Sequence, residues 1–359
     1  MDFLIRNNIM KQNRAVLDIG HHAVKVLEVH YAARRAEVTD ARMFDAGSIL
    51  QNNSIDAVEL AKRADSYISS SARHHVSISL PPEICENKIV TIKNKKESEI
   101  AKIVEREYVG FSGVSNMTHV IDYAYLGTLE EQGNTVHYVL LMAASKTLLN
   151  ELVSEFAHYG MKVKTIVSGI FNQVCLSELY FDEYESLNRL MIDFGTENTR
   201  IIAFCEGTAV YTRTLNIGYN HYVKSIFSAQ EKAGKQEIIR ALTTVGMLRE
   251  PENRSFSTLD YDTYMHCAES LTQQLISEIR RVLNLCESND IMITKIYGTG
   301  FPLPGFMQTL ELQTGIGTEQ ICFGMCDEKN GKGYVLWIGE TDLGAVYSNA
   351  LGLAVYPML

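Results

Sequence analysis

No stretch of this chain of 359 residues approaches the roughly 18 consecutive apolar residues that a membrane-spanning helix needs. Its first residues, Met1-Asp-Phe-Leu-Ile-Arg-Asn-Asn8, are too few and too polar to read as a signal peptide. The expectation is therefore a cytoplasmic protein without direct membrane insertion. Basic residues are in deficit, with 33 Lys and Arg against 43 Asp and Glu and a formal charge of −10. Phosphate backbones are bound by clustered Lys and Arg, so nucleic acid is excluded as a main partner. Cysteine is scarce, scattered and odd in number, seven in all, which speaks against a disulfide framework and for reduced thiols. Cys322-Phe-Gly-Met-Cys326 has no second pair at zinc spacing. The histidine pairs His21-His22 and His74-His75 are adjacent in sequence, and neighbours on a strand point to opposite faces, so one metal rarely takes both. What is left, 46% hydrophobic and 21% charged residues, is a globular composition in a chain long enough for two domains.

The informative feature is a repeat. Arg189-Leu-Met-Ile-Asp193-Phe-Gly195-Thr196 is an apolar run closed by Asp-x-Gly, and an alternating run resumes at Thr199-Arg200. Arg14-Ala-Val-Leu-Asp18-Ile-Gly20-His21-His22 has the same order, and its apolar run resumes at Val24-Lys25. Each is a strand, a tight turn and a returning strand. Glycine lets backbone N–H groups face an anion, and an aspartate can hold a metal through water. Both copies continue to a further glycine, Gly47 and Gly218. A repeat of this kind implies two halves of similar topology, with two loops clamping one ligand. Taken singly, each stretch reads equally as an ordinary hairpin.

Around these hairpins the patterning predicts strands at 14–19, 24–31 and 36–43, then a helix carrying Ile55, Val58, Ala61, Ile68 and Ala72 with Ser54 as its N-cap. Residues 87–165 read as a compact inserted α/β unit whose last helix, 146–159, is capped by Gly160. A helix at 168–180 leads to the second half, polar sequence at 228–263 sits at the periphery, and a strong helix runs over 264–287. A strand then ends in Gly298-Thr299-Gly300, where a flat ring could lie against bare backbone.

Two Asp-x-Gly hairpins followed by a Gly-rich strand end are together the pattern of the actin, sugar kinase and Hsp70 ATPase superfamily. Within it the chain resembles the PilM family, pilus-assembly relatives of the cell-division protein FtsA. The resemblance runs through Leu17-Asp-Ile-Gly20 with Val24-Lys25, the inserted unit, Asp193-Phe-Gly195, Tyr211-Thr-Arg213 with Ile217-Gly218, Ser277-Glu-Ile-Arg280-Arg281, Gly298-Thr-Gly300 and Ala350-Leu-Gly-Leu353. It implies an α/β, actin-like (ribonuclease H-like) two-domain fold with an FtsA/PilM-type inserted 1C subdomain. Residues 1–13 then form a flexible N-terminus, 14–86 the first part of subdomain 1A, 87–165 the 1C insertion, and 166–188 the return to 1A with a connecting helix. Residues 189–227 open subdomain 2A, 228–290 form 2B, and 291–359 complete 2A with a C-terminal helix.

The nucleotide-binding set that the resemblance implies comprises Asp18, Gly20, His21, His22 and Lys25 in the first loop and Asp193, Gly195 and Thr196 in the second. Gly298, Thr299 and Gly300 would back the adenine and ribose, with Glu237 and Arg240 as the peripheral nucleoside contacts. Asp18 and Asp193 would approach a water-coordinated Mg²⁺, so ATP and Mg²⁺ are the expected cofactors. Three positions depart from the family: His21-His22 stand where Ser or Thr is usual, and Thr299 and Tyr219 replace glycines. No residue presents itself as a catalytic base. The expected partner is the N-terminal cytoplasmic peptide of a PilN-like inner-membrane protein, with other pilus platform proteins, and the expected place is the cytoplasmic face of the inner membrane, reached through that partner. Self-association is left open, as is the choice between a type IV pilus and type II secretion. The alternatives are an ATP-hydrolysing enzyme or small-molecule kinase of the same superfamily, which needs a carboxylate base, and an FtsA-like filament former, which ends in a basic amphipathic helix. Leu351-Gly-Leu-Ala-Val-Tyr-Pro-Met-Leu359 is short and uncharged.

Overall fold

The structure is a computed structural model that describes residues 12–107, 110–111, 114–181, 188–248, 257–325, 327–331, 334–339 and 343–358. Most of the expected flexible N-terminus, residues 1–11, lies outside the described residues, and Gln12 already opens the first strand. The chain divides into two compact units, Met1–Glu185 with Glu206–Val210 and Phe323–Leu359, and Ser186–Cys205 with Tyr211–Cys322.

The first unit begins with a meander of β1 (Gln12–Ile19), β2 (Ala23–Ala32) and β3 (Arg35–Asp45), paired antiparallel. The run Arg14–Ile19 is buried throughout, as a strand must be when it has neighbours on both sides and is covered on both faces. A short hairpin of β4 (Leu50–Gln51) and β5 (Ser54–Ile55) follows, turning through Asn52 and Asn53 at φ 50° and 57°, a left-handed conformation that Asn tolerates. Ser54 is therefore in a strand. The N-cap of α1 (Ala57–Asp65) is Asp56, whose carboxylate accepts the Glu59 N–H at 2.9 Å, which corrects the Ser54 expectation: the hairpin consumes the residues that periodicity had given to the helix. β6 (Val76–Leu80) then lies parallel to β1.

The insertion holds β7 (Glu86–Lys93), α2 (Ile100–Glu107), β8 (Gly110–Phe111), β9 (Val114–Ser115), β10 (His119–Glu131) and β11 (Asn134–Ser145). β10, β11 and β7 form an antiparallel sheet in that order. It has a core of its own, where Ile100, Ile103 and Val104 of α2 close on Val90, Ile92, Val139 and Leu141. α3 (Lys146–His158) ends at Tyr159 with Gly160 at φ 70°. Its Leu152 and Phe156 are buried in the other core, with Leu60 of α1 and Ile78 of β6. β12 (Val163–Ser168) pairs with β6. The part of the expected 87–165 insertion from 146 onward is thus built into the larger sheet, because the apolar face of α3 is buried against α1. α4 (Gly169–Tyr180), capped by Ser168, is buried on nearly every side.

In the second unit β13 (Arg189–Phe194), β14 (Thr199–Cys205) and β15 (Thr208–Leu215) form the corresponding meander. α5 (Tyr219–Ala229), α6 (Lys235–Thr244) and α7 (Tyr261–Ser288) follow, then β16 (Lys295–Gly300), α8 (Phe306–Thr314) and β17 (Gly317–Gln320). Spacing predicts a stripe of Met265, Ala268, Leu271, Leu275, Ile279, Val282 and Cys286 on α7; all are buried except Leu271, which is half-buried, and the Asp260 carboxylate caps the helix. The sheet order is β15-β14-β13-β16-β17, with β16 parallel to both β13 and β17. In the first unit β3-β2-β1-β6-β12 has the same order, with the same parallel pairs after the meander.

The last residues depart from expectation. β18 (Glu328–Gly331), β19 (Tyr334–Trp337) and α9 (Ser348–Val355) belong to the first unit rather than completing 2A. β19 adds to the edge of β3 in parallel, extending that sheet to seven strands. α9 lies on α4 so closely that a Cβ at Gly352 would fall 1.9 Å from the Asn172 carbonyl oxygen.

His75, at the start of β6, gives the first unit a pH dependence. Its Nε2 is buried without a hydrogen-bond partner. Burial, helped by the charges of Arg14 and Lys164, pushes its pKa down to about 4, against roughly 6.5 in an unfolded chain. As pH falls through that window the unfolded chain takes up a proton that the folded one refuses, so stability falls between the two values and no further below them. His75→Gln is expected to remove this component: its urea midpoint should fall less than the wild type's between about pH 7 and pH 5.

Candidate functional site

The two hairpin turns are alike in detail. The Gly20 N–H donates to the Ala23 carbonyl at 3.1 Å, and the Gly195 N–H donates to the Asn198 carbonyl at 2.9 Å. A Cβ would meet those same oxygens at 3.1 Å and 2.6 Å, so the second turn needs glycine for close approach and the first is tight. Four residues before each aspartate a buried arginine stacks on an aromatic ring, Arg14 on Tyr31 at 4.6 Å and Arg189 on Phe204 at 4.8 Å. Seven residues after it, directly across the hairpin, stands a cation: Asp18 is opposite Lys25, and Asp193 is opposite Arg200.

In the first loop Lys25 Nζ lies 2.9 Å from Asp18 Oδ2. His21 Nε2 is 2.7 Å from Glu83 Oε1, while His22 is exposed and its carbonyl accepts the Ala46 N–H at the end of β3. The two histidines thus part as strand neighbours do, one turned to a carboxylate and one to solvent.

In the second loop the parallel pairing of β13 with β16 sets Asp193 beside Thr299 and Phe194 beside Gly300, so Asp193, Gly195, Gly298, Thr299 and Gly300 are brought together. Thr299 Oγ1 donates to Asp193 Oδ1 at 3.0 Å, and Arg200 Nη2 donates to Asp193 Oδ2. A Cβ at Gly300 would lie 2.3 Å from the Phe194 carbonyl oxygen, so the strand end has room for glycine alone. Thr196 and Gly195 accept the Asn220 and Tyr219 N–H groups at 2.8 and 3.1 Å, docking the loop on the start of α5. At Gly218 a Cβ would sit 2.6 to 2.7 Å from the backbone of Thr196 and Glu197.

A small crevice beside this loop, with room for about one water molecule, is lined by Phe194, Gly195, Gly218, Tyr219, Phe301 and Phe306 among others. Phe194 and Phe306 are buried and Phe301 is 48% exposed. Tyr219, in place of the family's glycine, donates its hydroxyl to the Ile239 carbonyl of α6 at 3.1 Å, and burial pushes its pKa up to about 12. Phe301 was not foreseen, and neither was Arg200; the equal step from each aspartate to its cation was the signal that could have found the latter.

Glu237 and Arg240 lie on α6. The Glu237 carboxylate accepts from the Ser257 N–H at 2.6 Å and the Thr258 N–H at 3.0 Å, and from both hydroxyls. These four donors hold its pKa down to about 2. It fastens the loop before α7, and Arg240 is exposed on α6. Among the described residues no three His, Cys, Asp or Glu side chains converge as a metal site, and no helix is long and apolar enough to cross a membrane.

Two sheets of one strand order, each with a glycine-turned hairpin at its centre, define the actin-like ATPase fold, and the comparison with solved structures agrees. Across 98% of this chain and 100% of the other, at 16% identity and a TM-score of 0.72, the fold is that of a PilM-PilN type IV pilus biogenesis complex. MreB5 of Spiroplasma citri bound to ADP matches over 96% of both chains at 12% identity and a TM-score of 0.54. The ethanolamine utilization protein EutJ from Carboxydothermus hydrogenoformans matches over 98% of this chain and 92% of its own at 9% identity and 0.51. No family model matches the chain, and no curated protein matches it in sequence.

Proposed function

We propose that the chain is a PilM-like adaptor of an inner-membrane assembly platform for a type IV pilus or type II secretion system. In this reading it docks the N-terminal cytoplasmic peptide of a PilN-like membrane protein, and its two loops bind ATP with weak or no hydrolysis. The observation that carries the reading is the full-length likeness in fold to a PilM-PilN complex, at a TM-score well above those of MreB5 and EutJ. Extended peptides dock by adding to a sheet edge or by filling pockets for alternate side chains. The insertion offers such an edge: β10 is the end strand of its sheet among the described residues, with Val120 and Tyr125 exposed at 45% and 37%. Weak hydrolysis follows from the loops, where each aspartate is bound to a side-chain cation and none is presented as a base for water.

The test uses a labelled peptide matching the N-terminus of a PilN-like protein from the same genome, followed by fluorescence anisotropy. Saturable binding weakened at least about tenfold, or 1.4 kcal/mol, by Val120→Arg or Tyr125→Arg is the expected result. Absence of binding to the wild type sinks the adaptor reading. Calorimetric titration with Mg-ATP tests the nucleotide arm, and Lys25→Gln is expected to abolish the heat. Phosphorylation of a small molecule in the same mixture would favour a kinase instead.

A further inference from the structure

The fold class raises the question of a hydrated divalent cation beside each aspartate, and the second loop does not fit one. Both carboxylate oxygens of Asp193 are already taken by donors of the same unit, Oδ1 by the Thr299 hydroxyl and Oδ2 by the Arg200 guanidinium. The side chains of Arg200 and Asp193 are 12% and 7% exposed, so the pair is held inside the unit rather than laid on its surface. Gly300 closes the same side, since a Cβ there would lie 2.9 Å from Asp193 Oδ1. A water-bridged metal needs carboxylate lone pairs directed at coordinated water, and it adds positive charge. Here each oxygen already accepts from a protein donor, and the positive charge is already present.

We propose that Arg200 is the permanent counter-cation of the second loop and stands where a divalent metal would otherwise be held by Asp193. The guanidinium carries five N–H donors in a fixed fork suited to phosphate and carboxylate. An anionic ligand of this loop is therefore met by a protein cation, without an Asp193-bound metal. The prediction for ATP rests on the nucleotide-binding reading above; the statement about metal does not.

The experiment is Mn²⁺ binding to the full chain, read by electron paramagnetic resonance, together with ATP calorimetry. Wild type and Asp193→Asn/Arg200→Gln, in which both charges are removed, should bind Mn²⁺ identically. Arg200→Met should gain a Mn²⁺ site that the double variant lacks. Extra Mn²⁺ bound by the wild type relative to the double variant overturns the proposal, as does a folded Arg200→Met that gains none. If Arg200→Met does not fold, the comparison of wild type with the double variant decides alone. With ATP, affinity in excess EDTA should stay within about threefold of that in Mg²⁺, and a loss of about tenfold or more, 1.4 kcal/mol, that disappears in the double variant overturns the proposal. Absence of ATP heat in both conditions refutes the nucleotide-binding reading, while the Mn²⁺ comparison still decides the role of Arg200.

Discussion

Gly352→Val is expected to unfold the first unit or to leave it with a stability loss of about 3 kcal/mol or more, at or beyond the upper end for overpacking a core. The side chain has nowhere to go. A Cβ at Gly352 meets the Asn172 carbonyl oxygen at 1.9 Å, its carbonyl carbon at 2.6 Å and its Cα at 3.1 Å, and backbone cannot swing aside as the end of a flexible side chain can. Relief requires α4 and α9 to separate. That would also open a buried polar contact, in which Gln173 Nε2 donates to Asn349 Oδ1 at 2.8 Å. These side chains are almost wholly buried, and each donor left unpaired away from water adds roughly 1–3 kcal/mol. Gly352→Ala carries the same clash with less volume and should cost about 2 kcal/mol. Gly324→Ala has nothing within 4 Å of the new Cβ and should stay within about 0.5 kcal/mol of wild type. Urea midpoints of the three variants check the series, and a Gly352→Ala midpoint equal to that of Gly324→Ala would refute the close approach of the two helices.

That helix contact also shows where the sequence was legible and where it was not. The repeat could be read because its chemistry is local: Asp-x-Gly at the end of an apolar run fixes a strand, a tight turn and a returning strand, at Gly20 and Gly195 alike. The stripe on α7 was legible for the same reason, as one helix face buried along its length. The return of residues 323–359 to the first unit was not legible. It rests on β19 pairing with β3, residues 335–337 beside 35–37, and on α9 meeting α4, contacts that no local pattern announces. Asn172, Gln173 and Asn349 are polar residues on helices that are nonetheless buried, with Gln173 and Asn349 hydrogen-bonded across a close helix pair. Ser54 lost the cap to Asp56 because two asparagines made a hairpin that the helix periodicity had hidden. In the loops, the glycines and aspartates were named in advance, whereas Arg200 was passed over, since a charged residue in an alternating strand ordinarily points to water.

Arg200→Met alone is expected to destabilise the second unit by about 3–5 kcal/mol, the range for breaking one side of a buried ion pair, because it leaves the Asp193 carboxylate inside the protein without its guanidinium partner. Asp193→Asn should cost a similar amount by stranding the guanidinium. The double variant Asp193→Asn/Arg200→Met should be more stable than either single one, since it removes both charges that burial penalises, and the cycle should return a coupling of about 1–3 kcal/mol. Thr299→Val tests the third member: losing one donor to a buried charged acceptor should cost about 1.5–3 kcal/mol. A surface pair provides the contrast. Arg281 and Glu278 are ion-paired one turn apart on α7, with the Arg281 side chain 64% exposed, and Arg281→Met should change stability by no more than about 0.5 kcal/mol. Raising the salt concentration should weaken that surface coupling and leave the Asp193–Arg200 coupling nearly unchanged, because screening by mobile ions acts much less on partly buried pairs. Chemical denaturation of all the variants at low and high NaCl makes the measurement. Additive single-variant losses at Asp193 and Arg200 would mean that the two side chains do not hold one another, and the argument that Arg200 keeps metal from Asp193 would fall with them.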